Sequence, residues 1–164
     1  MHKCFLLLGS NLGEKIKILE SALDAINATI GAVVQKSSFY QSAPWGFEAA
    51  DNFINTVAEV NTQRTPGEIL VAIHDIEAGL GRVRGNSGGY QSRTIDIDIL
   101  FYDDEIIDRQ NLTIPHPRLH SRRFTLKPLA EIAPDFIHPV MGKSIVELLD
   151  SCDDNSVVQL IPYF

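Results

Sequence analysis

The chain has 164 residues, 45% hydrophobic and 21% charged, a length and composition that point to one domain over 1–164 and exclude a mainly disordered chain. Fourteen Lys and Arg against 21 Asp and Glu leave a net charge of −7, which argues against a general affinity for nucleic acid or anionic membranes. Cys4 and Cys152 are too few for a disulfide scaffold and match no zinc spacing, so a reducing cytoplasm is the expected compartment; a monomer is expected.

Residues 3–8 read as a buried strand. Its apolar run is cut at once by Gly9-Ser10-Asn11, whereas a secretory signal core needs roughly 7–15 apolar residues. Asn11 with Glu14 three residues on predicts a helix start before Ile16, Leu19, Leu23 and Ile26 at helical spacing. Val33 to Gln41, rich in β-branched and aromatic residues, predicts one strand, and Phe53 to Thr62 another, with a loop from Ser42 to Asn52 between them. Thr65-Pro66-Gly67-Glu68 combines an N-cap, a proline at the first helical position and a capping-box glutamate ahead of Ile69, Leu70, Ile73, Ile76 and Leu80, the signature of a second helix. Five of the eleven glycines fall between Gly79 and Gly89, so a loop must follow. Arg93 to Tyr102 alternates as a fourth strand. Beyond it, Pro115, Pro117, Pro128, Pro134 and Pro139 leave room only for short pieces, with helices expected near Arg122–Leu126 and Ser144–Leu149. The order β-α-β-β-α-β is that of an α+β, ferredoxin-like core: a mainly antiparallel sheet with helices packed on it.

The fourth strand carries the clearest chemistry. In Thr94-Ile95-Asp96-Ile97-Asp98-Ile99-Leu100 the period of two sends the isoleucines to one face and both carboxylates to the other, with Cα atoms roughly 6.5–7 Å apart. Paired aspartates repel and are disfavoured in strands; a hard cation between them, Mg²⁺ above all, resolves the conflict. A solvated strand face fits the same spacing. From Ala78 to Ile95 there is no acidic residue, yet Arg82, Arg84 and Arg93 stand among the glycines. Forked guanidinium donors on a loop that can close suit a polyphosphate, and a flexible loop with solubilising arginines is the plain alternative. A second acid-free stretch, Arg109 to Ala130, holds Arg118, Arg122, Arg123, Lys127, His116 and His120. It suits the other jaw of an anion site, with His116 as a phosphate hydrogen-bond donor. His2, His74 and His138 have no local pattern and read as surface or packing histidines. Gly9 to Gly13 lacks the Gly-Lys-Ser/Thr of a phosphate loop and reads as a strand-to-helix turn. Trp45 beside Pro44, with Phe53 and Asn55 on one strand face, could stack a flat heterocycle or belong to the core.

In order and spacing these segments resemble the 6-hydroxymethyl-7,8-dihydropterin pyrophosphokinase family over essentially the whole chain. The resemblance rests on Leu8-Gly9-Ser10-Asn11-Leu12-Gly13, Ser37-Ser38-Phe39-Tyr40, Ile76-Glu77 with Leu80-Gly81-Arg82-Val83-Arg84, Arg93 to Ile99, Pro115-His116-Pro117-Arg118-Leu119, and Arg122-Arg123-Phe124 leading to Pro128-Leu129. It implies transfer of a pyrophosphoryl group from ATP to the hydroxymethyl oxygen of the dihydropterin, leaving AMP, with two Mg²⁺ ions on Asp96 and Asp98. It implies catalytic roles for Arg82, Arg93, Asp96 and Asp98. ATP binding would fall on His74, Arg82, Arg84, Arg93, Ile99, His116 and Arg122, and pterin binding on Ser42, Ala43, Trp45, Phe53, Asn55, Tyr90 and Phe124. Two positions depart from the family's commonest form. Tyr90-Gln91-Ser92 replaces a Trp, Gly, Pro triplet, and His74 stands where a helical Gln often meets the nucleotide. A binding module without turnover and a Mg²⁺-dependent phosphohydrolase are the rival readings; the negative charge weighs against RNA, and the aromatic pocket favours a pterin alcohol over water as the attacking group.

Overall fold

A computed structural model describes residues 1–42, 52–81 and 95–162. Its central sheet is built from β1 (His2–Ser10), β2 (Ala32–Lys36), β3 (Phe39–Ser42), β4 (Phe53–Thr62), β5 (Asp96–Tyr102) and β8 (Val158–Ile161), in the order β5-β1-β4-β3-β8 with β2 also on β4. Every pairing is antiparallel. A hairpin, β6 (Ile107–Arg109) with β7 (Leu112–Ile114), stands apart. Helices α1 (Lys15–Thr29) and α2 (Pro66–Gly79) follow β1 and β4, and α3 (Arg123–Ile132) and α4 (Ile145–Asp150) follow the hairpin. The α+β, ferredoxin-like expectation holds.

Both sheet faces are covered. Leu6 and Leu8 of β1, Ala58 and Val60 of β4, and Ile97 and Ile99 of β5 pack with Leu19, Leu23 and Ile26 of α1 and Ile69 and Ile73 of α2. On the other face Phe5, Leu7, Val57, Leu100 and Phe101 pack with Leu126 and Leu129 of α3 and Ile145 and Leu148 of α4. That is why β1 reads as an unbroken apolar run: a strand buried on both sides has no polar face to alternate.

Several predicted boundaries need correction. The strand expected over Val33–Gln41 is two strands, because Ser37 takes over the ladder between them. Its buried hydroxyl accepts the Val57 N–H at 2.9 Å, and its carbonyl accepts from the Thr56 hydroxyl at 3.1 Å. The fourth strand does not alternate to its end: Phe5 pairs with Phe101 and Leu6 with Ile99, so a bulge at Leu100 puts Leu100 and Phe101 together in the second cluster. Asn11 is not the cap of α1. Asn11 is fully buried at the end of β1, the chain turns through Gly13 at φ +75°, and the helix starts after Glu14 with no side-chain cap. The helix expected over Arg122–Leu126 runs on to Ile132 through Pro128; burial of Leu126, Pro128 and Leu129 outweighs the one backbone bond a proline removes. The hairpin and β8 were not anticipated. Thr65 forms the expected capping box, and Ser144 forms another at the start of α4. His2 stacks on Tyr102 and pairs with Asp103 at 2.7 Å, a packing role as expected.

Candidate active site

Cross-strand register lines up the candidate residues on the sheet face that α3 and α4 cover. Tyr40 pairs with Asn55, Asn55 with Gly9, and Gly9 with Asp96. Directly opposed residues share a face, so these four form one row. Val57, Leu7 and Asp98 form the next row toward the core, and Phe53 with Ser42 lies two residues the other way. Asp96 and Asp98 are half-buried, each at the edge strand, while Ile97 and Ile99 point into the opposite cluster.

Gly9 leaves the space between Asp96 and Asn55 without a side chain. A Cβ there would stand 2.6 Å from Asn55 Nδ2, so the amide lies over the glycine. Asn55 is buried; its Nδ2 donates to the Leu8 carbonyl at 3.3 Å, and its Oδ1 has no partner among the described residues. Leaving such an acceptor unpaired costs roughly 1–3 kcal/mol, an expense native interiors rarely carry without a ligand to meet it.

His116 approaches the carboxylates from the segment after β7. Its amide donates to the Leu100 carbonyl at 3.0 Å, tying the segment to β5. Its Nδ1 accepts the Arg118 N–H at 3.1 Å, which leaves the ring proton on Nε2. Burial, then the Arg122 and Arg118 charges, push its pKa down to about 4, against the opposing pull of Asp96. The imidazole is therefore neutral at pH 7 and offers Nε2–H as a donor. Asp96, Arg118 and Arg122 thus all act electrostatically on one ring. Arg122 precedes α3, with its guanidinium 5.5 Å from the centre of the Phe124 ring. Phe124 packs against the second cluster, and α3 lies across β3 and β4.

Ser42, Phe53, Asn55, Asp96, Asp98, His116, Arg122 and Phe124 thus belong to one side of the sheet. Two predicted nucleotide residues do not join them. The Ile99 side chain is in the first cluster, so a contact from it would be through the main chain, and His74 is exposed on α2, in the opposite layer. Ala43, Trp45, Arg82, Arg84, Tyr90 and Arg93 lie outside the described residues. Glu77 was not among the candidate site residues. It is fully buried, and its carboxylate accepts the amide of Ile97, between the two aspartates, at 2.9 Å. Its position four residues after Ile73 on the apolar stripe of α2 was the available signal.

Asp96 and Asp98 offer hard oxygen donors from one face of an edge strand, a donor set that fits Mg²⁺. Two carboxylates, a neutral imidazole donor, a guanidinium and an amide acceptor without a partner among the described residues, on one side of the sheet, can hold an anionic group at one end and a polar heterocycle at the other.

A family model described as 7,8-dihydro-6-hydroxymethylpterin-pyrophosphokinase (HPPK) matches residues 5–134. The chain is 39% identical over 163 residues to a 2-amino-4-hydroxy-6-hydroxymethyldihydropteridine pyrophosphokinase of Haemophilus influenzae, covering 99% of this chain and 100% of that protein. It is 38% identical over 159 residues to the folic acid synthesis protein fol1 of Pneumocystis carinii, covering 97% of this chain but 21% of that longer protein. A crystal structure of Plasmodium falciparum HPPK-DHPS with SDX-DHP superposes with a TM-score of 0.75 at 20% identity, over 92% of this chain and 43% of that one.

Proposed function

The chain belongs to the 7,8-dihydro-6-hydroxymethylpterin-pyrophosphokinase family, and from that premise we propose how its residues divide the reaction. The enzyme transfers a pyrophosphoryl group from ATP to the hydroxymethyl group of 6-hydroxymethyl-7,8-dihydropterin, giving AMP and the pterin diphosphate in folate biosynthesis. The hydroxymethyl oxygen forms a bond to the β-phosphorus as the bond from that phosphorus to the AMP oxygen breaks. Such a step asks for position and charge, not for a protein nucleophile.

Asp96 and Asp98 would hold two Mg²⁺ ions, which when bound neutralise the phosphates and stabilise charge developing on their oxygens. His116, neutral, donates Nε2–H to a phosphate oxygen. Arg122 supplies a guanidinium beside it, and Arg82, Arg84 and Arg93 supply further forks. His74 meets the nucleotide from α2, and Ile99 contributes through its main chain. Phe53 and Phe124 stack on the pterin, Asn55 accepts from its polar edge, and Ser42, Ala43, Trp45 and Tyr90 complete the pocket. We place the enzyme in the cytoplasm as a monomer, with 1–164 as one domain.

The buried Oδ1 of Asn55, without a partner among the described residues and one glycine away from Asp96, carries this reading. A phosphate-only site has no use for a buried acceptor, whereas a heterocycle with ring and amino N–H groups does. The test is product analysis: with ATP, Mg²⁺ and hydroxymethyldihydropterin, AMP should appear in step with the pterin diphosphate. Asp96→Ala and Asp98→Ala should each slow it by a factor of order 10³ or more, with the fold retained by circular dichroism. ADP or inorganic phosphate as the product, or either variant keeping more than about a tenth of the rate, where the loss of transition-state charge stabilisation demands far less, would overturn it.

A further inference from the structure

The first turn of α3 carries Arg122 and Phe124 on either side of Arg123, yet the helix has no cap of its own: Arg122, at the N-cap position, makes no side-chain capping bond. The cap comes from 31 residues away. Asp154, in the segment between α4 and β8, accepts the Arg123 N–H on Oδ2 at 3.0 Å. Its other oxygen, Oδ1, accepts the Ser156 N–H at 2.9 Å and the Ser156 hydroxyl. Two residues further on, Val158 opens β8 and pairs with Ser42 at the end of β3, which in turn pairs with Phe53. One carboxylate therefore ties the helix turn bearing Phe124 to the strand edge bearing Ser42 and Phe53.

We propose that Asp154 is a positioning residue for the pterin site: by capping α3 from the β8 segment it sets the separation between Phe124 and the Ser42–Phe53 wall. The inference rests on the pterin site assigned above. A carboxylate at a helix N-terminus is favoured by the orphan N–H groups and the helix dipole. Burial alone would raise the pKa of Asp154, but the hydrogen bonds from Ser156 and Arg123 and the Arg123 charge hold it below the ordinary value, so the cap is charged at neutral pH. Asp154 touches no reacting group itself; it acts through Phe124. Stacking demands a fixed gap between walls, which a frayed first turn cannot keep, whereas the triphosphate has several other holders.

The test measures Kd for hydroxymethylpterin in the presence of a non-hydrolysable ATP analogue and Mg²⁺, and Kd for the analogue alone. It uses the full-length chain and the variants Asp154→Ala, Asp154→Asn, Ser156→Ala and Phe124→Ala. Asp154→Ala should weaken the pterin about tenfold, the factor that loss of a helix cap corresponds to, while moving the analogue by less than about threefold. Asp154→Asn, which still accepts from Arg123, should recover most of the loss, and Ser156→Ala, which removes the hydroxyl bond to the carboxylate but keeps the backbone one, should fall in between. Unchanged pterin affinity in Asp154→Ala while Phe124→Ala abolishes stacking would overturn the proposal alone. Equal weakening of pterin and analogue, with no rescue by asparagine, would overturn it too, as general loosening. If Asp154→Ala fails to fold, the milder Ser156→Ala and Asp154→Asn decide by the same ratio. Absence of pterin binding in the unmodified enzyme, or full binding in Phe124→Ala, would instead refute the underlying site.

Discussion

A methyl group at Gly9 would meet Asn55 Nδ2 at 2.6 Å, and the colliding atom is the end of a side chain, so the clash is relieved by moving Asn55 rather than by unfolding β1. Gly9→Ala is therefore a remote version of Asn55→Ala. Both should weaken pterin binding by about 1–3 kcal/mol, the cost of an unmet polar edge, with ATP-analogue affinity unchanged by calorimetry. Full pterin affinity in Gly9→Ala would mean that the position of Asn55 is irrelevant to the ring. At this scale the sequence was legible where residue type and spacing alone define a role. Asp96 and Asp98 alternate in a strand, and Phe53 and Asn55 share a strand face. Glu77 and Asp154 escaped because their partners, the Ile97 and Arg123 amides, are 20 and 31 residues away; the apolar stripe of α2 marks Glu77 as buried but not what it bonds, and nothing local distinguishes Asp154 from other acids.

Three stretches ahead of helices carry the pattern of a capping residue followed by Glu at the third position, and two of them form a box. Thr65 and Ser144 sit in extended backbone, at φ −73° ψ 160° and φ −72° ψ 161°, each accepting from the backbone of its glutamate. Asn11 lies in the core at the end of β1, and its helix begins four residues later, at Lys15. A cap needs a residue free to turn outward, which depends on where the preceding strand ends in the tertiary fold. Thr65→Ala should accordingly lower stability by about 1 kcal/mol, read as a lower urea midpoint at unchanged m-value. Pterin and ATP affinities should stay as they are, because Thr65 caps the start of α2, a helix that lies behind the sheet from Asp96 and carries His74 nine residues further on. A loss of nucleotide affinity as large as the loss of stability would contradict that separation.

Two histidines set the behaviour of the whole molecule in mild acid. Burial, with Arg122 and Arg118, holds His116 at about 4, and burial, with His120, holds buried His138 below its ordinary value. His138 Nδ1 accepts the Val140 and Met141 amides, both at 3.1 Å, and the ring meets Phe101 edge-on. Near pH 6.5 the unfolded chain begins to bind protons that these folded imidazoles refuse. Stability is thus full above about 6.5 and falls as the pH drops toward 4, His116 alone accounting for about 3 kcal/mol. Below about 4 His116 adds no further loss, and protonation of lowered carboxylates such as Asp103 and Asp154 takes over. Urea midpoints measured at pH 7, 5.5 and 4.5 should decline steadily, and His116→Asn should decline less. A flat profile across this window would show that neither ring is held neutral by the fold.

What the sequence determined by itself is local: strands and helices from hydrophobic period, the capping box at Thr65, and a strand bearing two same-face carboxylates, each set by residues within a few positions of one another. Tertiary structure decided the rest. The bulge at Leu100, the break at Ser37 and the addition of β8 arise from pairing with distant strands, and α3 extends through Pro128 because a buried face rewards it. Above all, register across three strands brings Asn55, Gly9 and Asp96 into one row. A slip of one residue in either pairing would send one of them to the opposite face, and nothing within a single strand fixes its register against another.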